Sequence, residues 1–212
     1  MIVSIHQPNF IPWLGFFKKL QKSDVTVFLD EVQYTKNYVF NRNKIINDHW
    51  LTIPVMHNSK TIYREVRVNN NEKWKKKHIN SLKNYPKTCP NFEFIDEFIN
   101  EIYIECDSKL LIDYNLKSID FLLKKFSMNP KIVLQSQLDL GDNIRGSELL
   151  YQITKSVGGN TYLSGRGAVE KTTQGEPYLD IDKFKNIEID ILDYDPPHKF
   201  SSLHHLILGG NI

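Results

Sequence analysis

Cysteine is scarce in this chain, with only Cys89 and Cys106 among 212 residues. Two thiols make no disulfide framework, and no CxxC or Cys/His cluster suggests structural zinc or another metal site. No apolar run approaches the roughly 20 residues that a membrane span needs. The opening segment, MIVSIHQPNF, has neither a basic n-region nor a long apolar h-region, so no signal peptide is expected. An excess of one charge is also missing: 27 Lys and Arg face 25 Asp and Glu, for a formal charge of +2. That balance argues against a dedicated nucleic-acid binder, which carries a strongly basic face. The expectation is a soluble, cytoplasmic protein with no membrane span and no DNA partner. Alanine is nearly absent, Ala168 being the one example, beside a surplus of Lys, Ile and Asn. That bias points to an AT-rich genome and not to function.

What is present is enough for a core. Hydrophobic residues make up 41% and charged residues 25%, which excludes wholesale disorder. The length fits a single α/β domain over 1–212, with about 48–126 as the one candidate for an inserted subregion. Short apolar runs at Ile2–Ile5, Val25–Leu29, Ile132–Leu134, Thr161–Leu163 and Ile187–Leu192 read as buried strands. Leu51–Val55 and Tyr63–Val68 also read as strands, the second by alternation of Ile62, Arg64, Val66 and Val68 with Tyr63, Glu65 and Arg67. Helical spacing is expected over Trp13–Gln21, Glu72–Tyr85, Phe94–Ile104, Leu110–Phe126 and Ser147–Val157, the last stopping at Gly158-Gly159. Strands separated by helices predict an α/β fold with a mainly parallel central sheet flanked by helices.

In an open α/β sheet, ligands bind beyond the carboxyl ends of the strands. Three polar segments sit there: His6-Gln7-Pro8-Asn9, Asp30 to Lys44, and Ser164 to Lys171. Within them the chemistry is specific. His6 is a candidate general base or phosphate ligand, since a free imidazole titrates near pH ~6.5. Gln7 and Asn9 bring amides that can orient a substrate. Trp13 can stack on a base or sugar, and Lys18 can neutralise a diphosphate. Asp30 can hold an amine or activate a nucleophile. Gln33 and Tyr34 follow it. Asn41, Arg42, Asn43 and Lys44 place a guanidinium and an ammonium beside two amides, and arginine's planar fork suits phosphate or carboxylate. Ser164, Gly165 and Arg166 make a workable anion cradle. His78 shares an amphipathic helical face with Trp74. Structural readings stand beside each of these: backbone-satisfied His6, helix-packing Trp13, solvated Lys18, a capping Asp30, a surface ion pair at Arg42, a core-edge His78 and a plain loop at Ser164. Lys75-Lys76-Lys77 reads as a solvated face and His204-His205 as a helix end.

The run from His6-Gln7-Pro8-Asn9-Phe10-Ile11-Pro12-Trp13 through Lys18 resembles the opening signature of the WbqC-like proteins. Asp30-Glu31-Val32-Gln33-Tyr34, Asn41 to Ile45, Trp50 to Val55, the Trp74…His78 pair and Tyr162 to Ala168 continue the likeness over nearly the whole chain. The C-terminus, Leu203-His204-His205-Leu206, departs from the more apolar ending usual in that family. The resemblance implies work on the activated sugars of O-antigens and other surface glycans. A second likeness is to nucleotidyltransferases with a PxHxGH-type loop, including pantothenate synthetase, and it implies a Rossmann-type layout. Trp13 and Phe16 stand where that loop has its histidines.

Three functions follow as alternatives. One is N-acylation, including aminoacylation, of the amine on a nucleotide-linked amino sugar, a transferase or amide-forming ligase of lipopolysaccharide biosynthesis. The others are a nucleotidyltransferase-like sugar-nucleotide enzyme and a non-catalytic binding or assembly factor. No tightly bound cofactor is expected. ATP or an acyl donor is the co-substrate the first reading needs, and tRNA as the acyl carrier stays open.

Overall fold

The computed structural model describes residues 1–35, 39–70, 73–141, 143–169 and 178–212. The described chain forms two compact units. The first is Met1–Gln7, Lys18–Leu29 and Pro130–Asp195; the second is Pro8–Phe17, Asp30–Asn129 and Pro196–Ile212. The stretch about 48–126 falls inside the second unit.

The first unit is built on a five-stranded sheet. Its strands are β1 (Ile2–His6), β2 (Val25–Phe28), β7 (Ile132–Leu134), β8 (Thr161–Gly165) and β9 (Glu188–Leu192). They lie in the order β7-β2-β1-β8-β9, and every pairing is parallel. Val3, Ser4 and Ile5 are buried in succession, as are all four residues of β2. Consecutive burial means that both faces of the sheet are covered, which is why these strands read as unbroken apolar runs and not as alternation. Helices flank the sheet. The helix α5 (Gly146–Ser156) packs against β1 and β8. It ends where Gly158 adopts a left-handed φ of 80°, and the N–H of Gly159 bonds the Thr154 carbonyl at 2.8 Å. A Cβ on Gly159 would stand 2.5 Å from Val3, so the close approach to β1 requires glycine. Helix α1 (Leu14–Gln21) gives its second half to this unit, and α6 (Arg166–Val169) follows β8 directly.

Taken in chain order within the sheet, the strands run third, second, first, fourth, fifth. This is the order of doubly wound sheets, and it reverses direction between β1 and β8. The carboxyl ends of those two strands emerge next to one another, since Ser4 pairs with Leu163 one step before Ile5 and Ser164.

The second unit is helical and aromatic. It holds the ribbons β3 (Arg42–Lys44) with β4 (Trp50–Thr52) and β5 (Val55–Met56) with β6 (Arg67–Val68), both antiparallel. Its helices are α2 (Trp74–Leu82), α3 (Phe94–Ile99) continued by a wider turn over Asn100–Ile104, α4 (Leu111–Lys125) and α7 (Ser202–Ile207). Edge-to-face ring contacts hold its core: Phe98 with Phe121 at 5.2 Å and Trp74 with Tyr114 at 5.3 Å.

Several sequence expectations change here. Tyr63–Val68 is no strand: Tyr63–Glu65 is a 3-10 turn, and Arg67–Val68 alone joins a ribbon. The reason is long-range. Tyr63 is fully buried and its hydroxyl donates to the Pro8 carbonyl, which a solvent-side strand position would not allow. Leu51–Val55 splits between β4 and β5 at Pro54, which has no N–H for a ladder. Part of the polar Asp30–Lys44 segment is strand β3 and not loop. Glu72 in the expected Glu72–Tyr85 helix, and Glu170-Lys171 in the Ser164–Lys171 segment, lie outside the described residues.

Candidate functional site

His6 is the last residue of β1, part-buried at the strand's carboxyl end. Its Nδ1 lies 2.8 Å from the Gln7 carbonyl oxygen. A carbonyl only accepts, so Nδ1 carries the proton and Nε2 holds the lone pair. Burial, and then the positive charge of Lys19, lower the His6 pKa to about 4. The ordinary value near 6.5 does not apply to it. At neutral pH, His6 is an uncharged imidazole that accepts through Nε2.

Lys19 is the residue that sequence reasoning missed. It sits on α1, is 7% exposed, and donates to the Ile5 carbonyl at 3.1 Å. Its Nζ stands 5.8 Å from the centre of the Tyr162 ring on β8. Burial lowers its pKa to about 8. The signal was available in the sequence: Lys19 follows Phe16 by three positions and so shares the helix's apolar face. Lys18, chosen instead, bonds Gln21 at 3.1 Å and approaches the Tyr194 ring at the surface.

Beyond β8, Ser164 is fully buried and its hydroxyl bonds the Gly165 carbonyl at 3.3 Å. A Cβ built on Gly165 or Gly167 meets nothing within 4 Å among the described residues. The strand end therefore borders open space. Arg166 is engaged by two carboxylates, Asp193 and, at 2.9 Å, Asp195. The first unit thus gathers His6, Gln7, Lys19, Ser164 and Gly165 around the reversal between β1 and β8.

The remaining candidates lie in the second unit, where Asn43 and several neighbours hold the backbone of the Pro8–Pro12 loop. Asn43 donates to the Ile11 carbonyl at 2.8 Å and Asn41 to the Ile53 carbonyl at 2.8 Å. The N–H of Ile11 bonds Ser118 at 3.1 Å, and that of Phe10 bonds the Phe40 carbonyl at 3.1 Å. These contacts hold Ile11 at a φ of 39°, a left-handed conformation that a β-branched residue avoids. Asn115 reaches the carbonyls of Pro8 and Phe40 and the Tyr63 hydroxyl, at 2.9, 2.7 and 2.5 Å. His78 is a core histidine by geometry: Nε2 donates to the Thr52 carbonyl at 3.0 Å, and Nδ1 accepts from Tyr103 at 3.1 Å. Burial lowers its pKa to about 4.

Asp30 is buried, and its own carbonyl accepts from the Arg64 N–H at 2.9 Å. Gln33 donates to the Ser59 carbonyl at 2.6 Å. Tyr34 is buried beside His57, its pKa pushed up to about 12 by burial against the opposing charge of Arg42. Arg42 and Lys44 lie over the exposed Trp50 ring at 4.6 and 5.4 Å, and Lys44 also pairs with Asp48 at 2.7 Å. Trp13 bridges Ser201 and packs edge-on to Phe16 at 6.2 Å. Asn9 stands apart. It is fully buried, and neither atom of its amide has a hydrogen-bond partner among the described residues.

A surface concavity of about 440 Å³ in the second unit is lined by Glu97, Glu101, Glu105, Asp120, Lys117 and Lys124, with Asn100. Its wall is a solvated charged face far from apolar in character, and it is no substrate pocket by chemistry. Among the described residues, no group of three or more His, Cys, Asp or Glu side chains is placed to hold a metal ion. No helix among them is long and apolar enough to cross a membrane.

The sequence model of the WbqC-like protein family matches residues 7–205. A Mycobacterium tuberculosis protein named "Uncharacterized protein Rv1507c" is 25% identical over 208 residues, covering 95% of this chain and 86% of its own length. No solved structure matches.

Proposed function

Because the chain belongs to the WbqC-like protein family, we propose that it is an enzyme of surface-polysaccharide biosynthesis that N-acylates the amine of a nucleotide-linked amino sugar. The observation that carries this reading is His6 at the carboxyl end of β1, where the strand order reverses beside β8. Such reversals are where open α/β sheets take ligands. Bond formation between an amine and an acyl carbon leaves a positively charged nitrogen far more acidic than a free ammonium. A neutral imidazole with its lone pair on Nε2 can take that proton even when its pKa is low. The Nδ1–H bond to Gln7 fixes the ring for this task. Ser164 and Gly165 border the space in which the sugar nucleotide would sit. The acyl group comes from an activated donor: an acyl-adenylate made from ATP with release of pyrophosphate, a thioester or an aminoacyl-tRNA, which leave as AMP, thiol or tRNA when the amine attacks.

The test is mass spectrometry of dTDP- and UDP-amino sugars incubated with the protein and candidate acyl donors, with and without ATP. The expected product is heavier by one acyl group less the amine hydrogen that it replaces. Nucleotide release or pyrophosphate formation without an acylated sugar would instead support a nucleotidyltransferase-like enzyme. Binding with no turnover across the donors would support an assembly factor.

A further inference from the structure

We propose that Lys19 is the anion-binding residue of the first unit, and that it takes a phosphate of the nucleotide substrate at the carboxyl ends of β1 and β8. The proposal rests on the reading of that sheet reversal as the ligand site.

The argument begins with what surrounds the ammonium. Lys19 is 7% exposed. Its one hydrogen bond among the described residues is to a neutral acceptor, the Ile5 carbonyl at 3.1 Å, and no described carboxylate forms an ion pair with it. An ammonium has three donors, so the Ile5 bond leaves two to place. A buried cation without a counter-ion is expensive, and a chain keeps one where something outside supplies the negative charge. The ionisable groups facing Lys19 are His6 on β1 and Tyr162 on β8. His6 is neutral at pH 7, and the Tyr162 hydroxyl has its pKa pushed up to about 12, chiefly by burial, so neither supplies an anion. Among the described residues the cation therefore has no anionic partner at the strand ends.

The position also fits the partner. Among the described residues nothing lies within 4 Å of where a Cβ on Gly165 would stand, at the neighbouring strand end. The obvious alternative cation, Arg166, is already held by Asp193 and Asp195. A doubly charged phosphate oxygen cluster matches an ammonium better than a single carboxylate does, because Lys acts as a compact point charge.

Calorimetric titration with inorganic pyrophosphate tests this without any turnover. Wild-type protein should bind it, Lys19→Met should weaken binding at least tenfold, and Lys19→Arg should stay within about threefold of wild type. Lys22→Met, an exposed lysine on the same stretch, should bind as wild type does. Wild-type affinity, compared with Lys19→Arg, should fall as pH rises through 8, because only the lysine loses its charge there. Equal affinity in Lys19→Met and wild type, or no binding by wild type at millimolar pyrophosphate, overturns the proposal. Should Lys19→Met not fold, identical pH profiles for wild type and Lys19→Arg overturn it, and diverging profiles support it. Lys19-dependent pyrophosphate binding without acylated product would sink the acylation reading and leave this one standing.

Discussion

The two units treat buried polar groups in opposite ways. In the second unit the Asn115 amide meets three acceptors, His78 has a partner on each ring nitrogen, and Asn43 ties the Ile11 carbonyl. The donors of this network fix one backbone shape, here the strained Pro8–Pro12 loop. In the first unit Lys19 is buried with one neutral acceptor, and His6 is held uncharged beside it. Such groups cost stability, and under the proposed function the difference would separate residues that make the scaffold from residues that meet a ligand. The second unit also keeps buried atoms with no hydrogen-bond partner among the described residues: both atoms of the Asn9 amide, Asn115 Oδ1, His57 Nδ1 and Ser202 Oγ.

The sharpest way to break this comparison is His6→Ala. Loss of a proton acceptor should lower turnover by about 10²–10⁴-fold. The acid limb of kcat/KM in the wild type should lie near pH 4 and not near 6.5, following the lowered His6 pKa. An acid limb at 6.5 would remove His6 from the chemistry. Asn115→Leu comes next. It removes one of two donors at each of the Pro8 and Phe40 carbonyls, and should destabilise the protein by about 2 kcal/mol in denaturant unfolding. A loss under about 1 kcal/mol would show that the network is not what holds the loop.

Lys19→Met should act in the opposite direction. The folded lysine releases its proton near pH 8, whereas the unfolded one holds it to about 10.5. The unfolded state therefore binds more protons between those values, and stability contributed at this site rises with pH across that window. At about 1.4 kcal/mol per pH unit, the charge costs the fold on the order of 3–4 kcal/mol below pH 8. Lys19→Met should be more stable than wild type at pH 7, and the difference should shrink between pH 8 and 10.5. Greater stability with weaker pyrophosphate binding would mark a ligand-facing residue; lower stability would mark a structural one. Smallest of all, Lys18→Ala should change stability by no more than about 0.5 kcal/mol, since its contacts are at the surface. A larger effect would erase the contrast between these two neighbours.

Much of the first unit was legible in the residues. Its strands are short apolar runs because parallel strands are covered on both faces, and Ile132–Leu134 coincides with the expected strand. The Leu110–Phe126 helix differs from the observed Leu111–Lys125 by one residue at each end, since a long one-sided stripe leaves little ambiguity. The second unit was harder. Tyr63–Val68 alternates like a strand, but Tyr63 is claimed by Pro8 and Asn115, which lie 55 and 52 residues away. Lys19 was passed over for Lys18, because the Ile5 carbonyl and the Tyr162 ring are brought to it only by the packing of α1.

The sequence by itself determined the class of the fold and the family, through local apolar periodicity and an unbroken signature. Only the tertiary structure decided the strand order, which sets β8 beside β1 although 154 residues separate His6 from Asn160, the residue before β8. It also decided which cation is buried and which amides are saturated. Those outcomes depend on contacts between residues far apart in the chain, where local spacing carries no information.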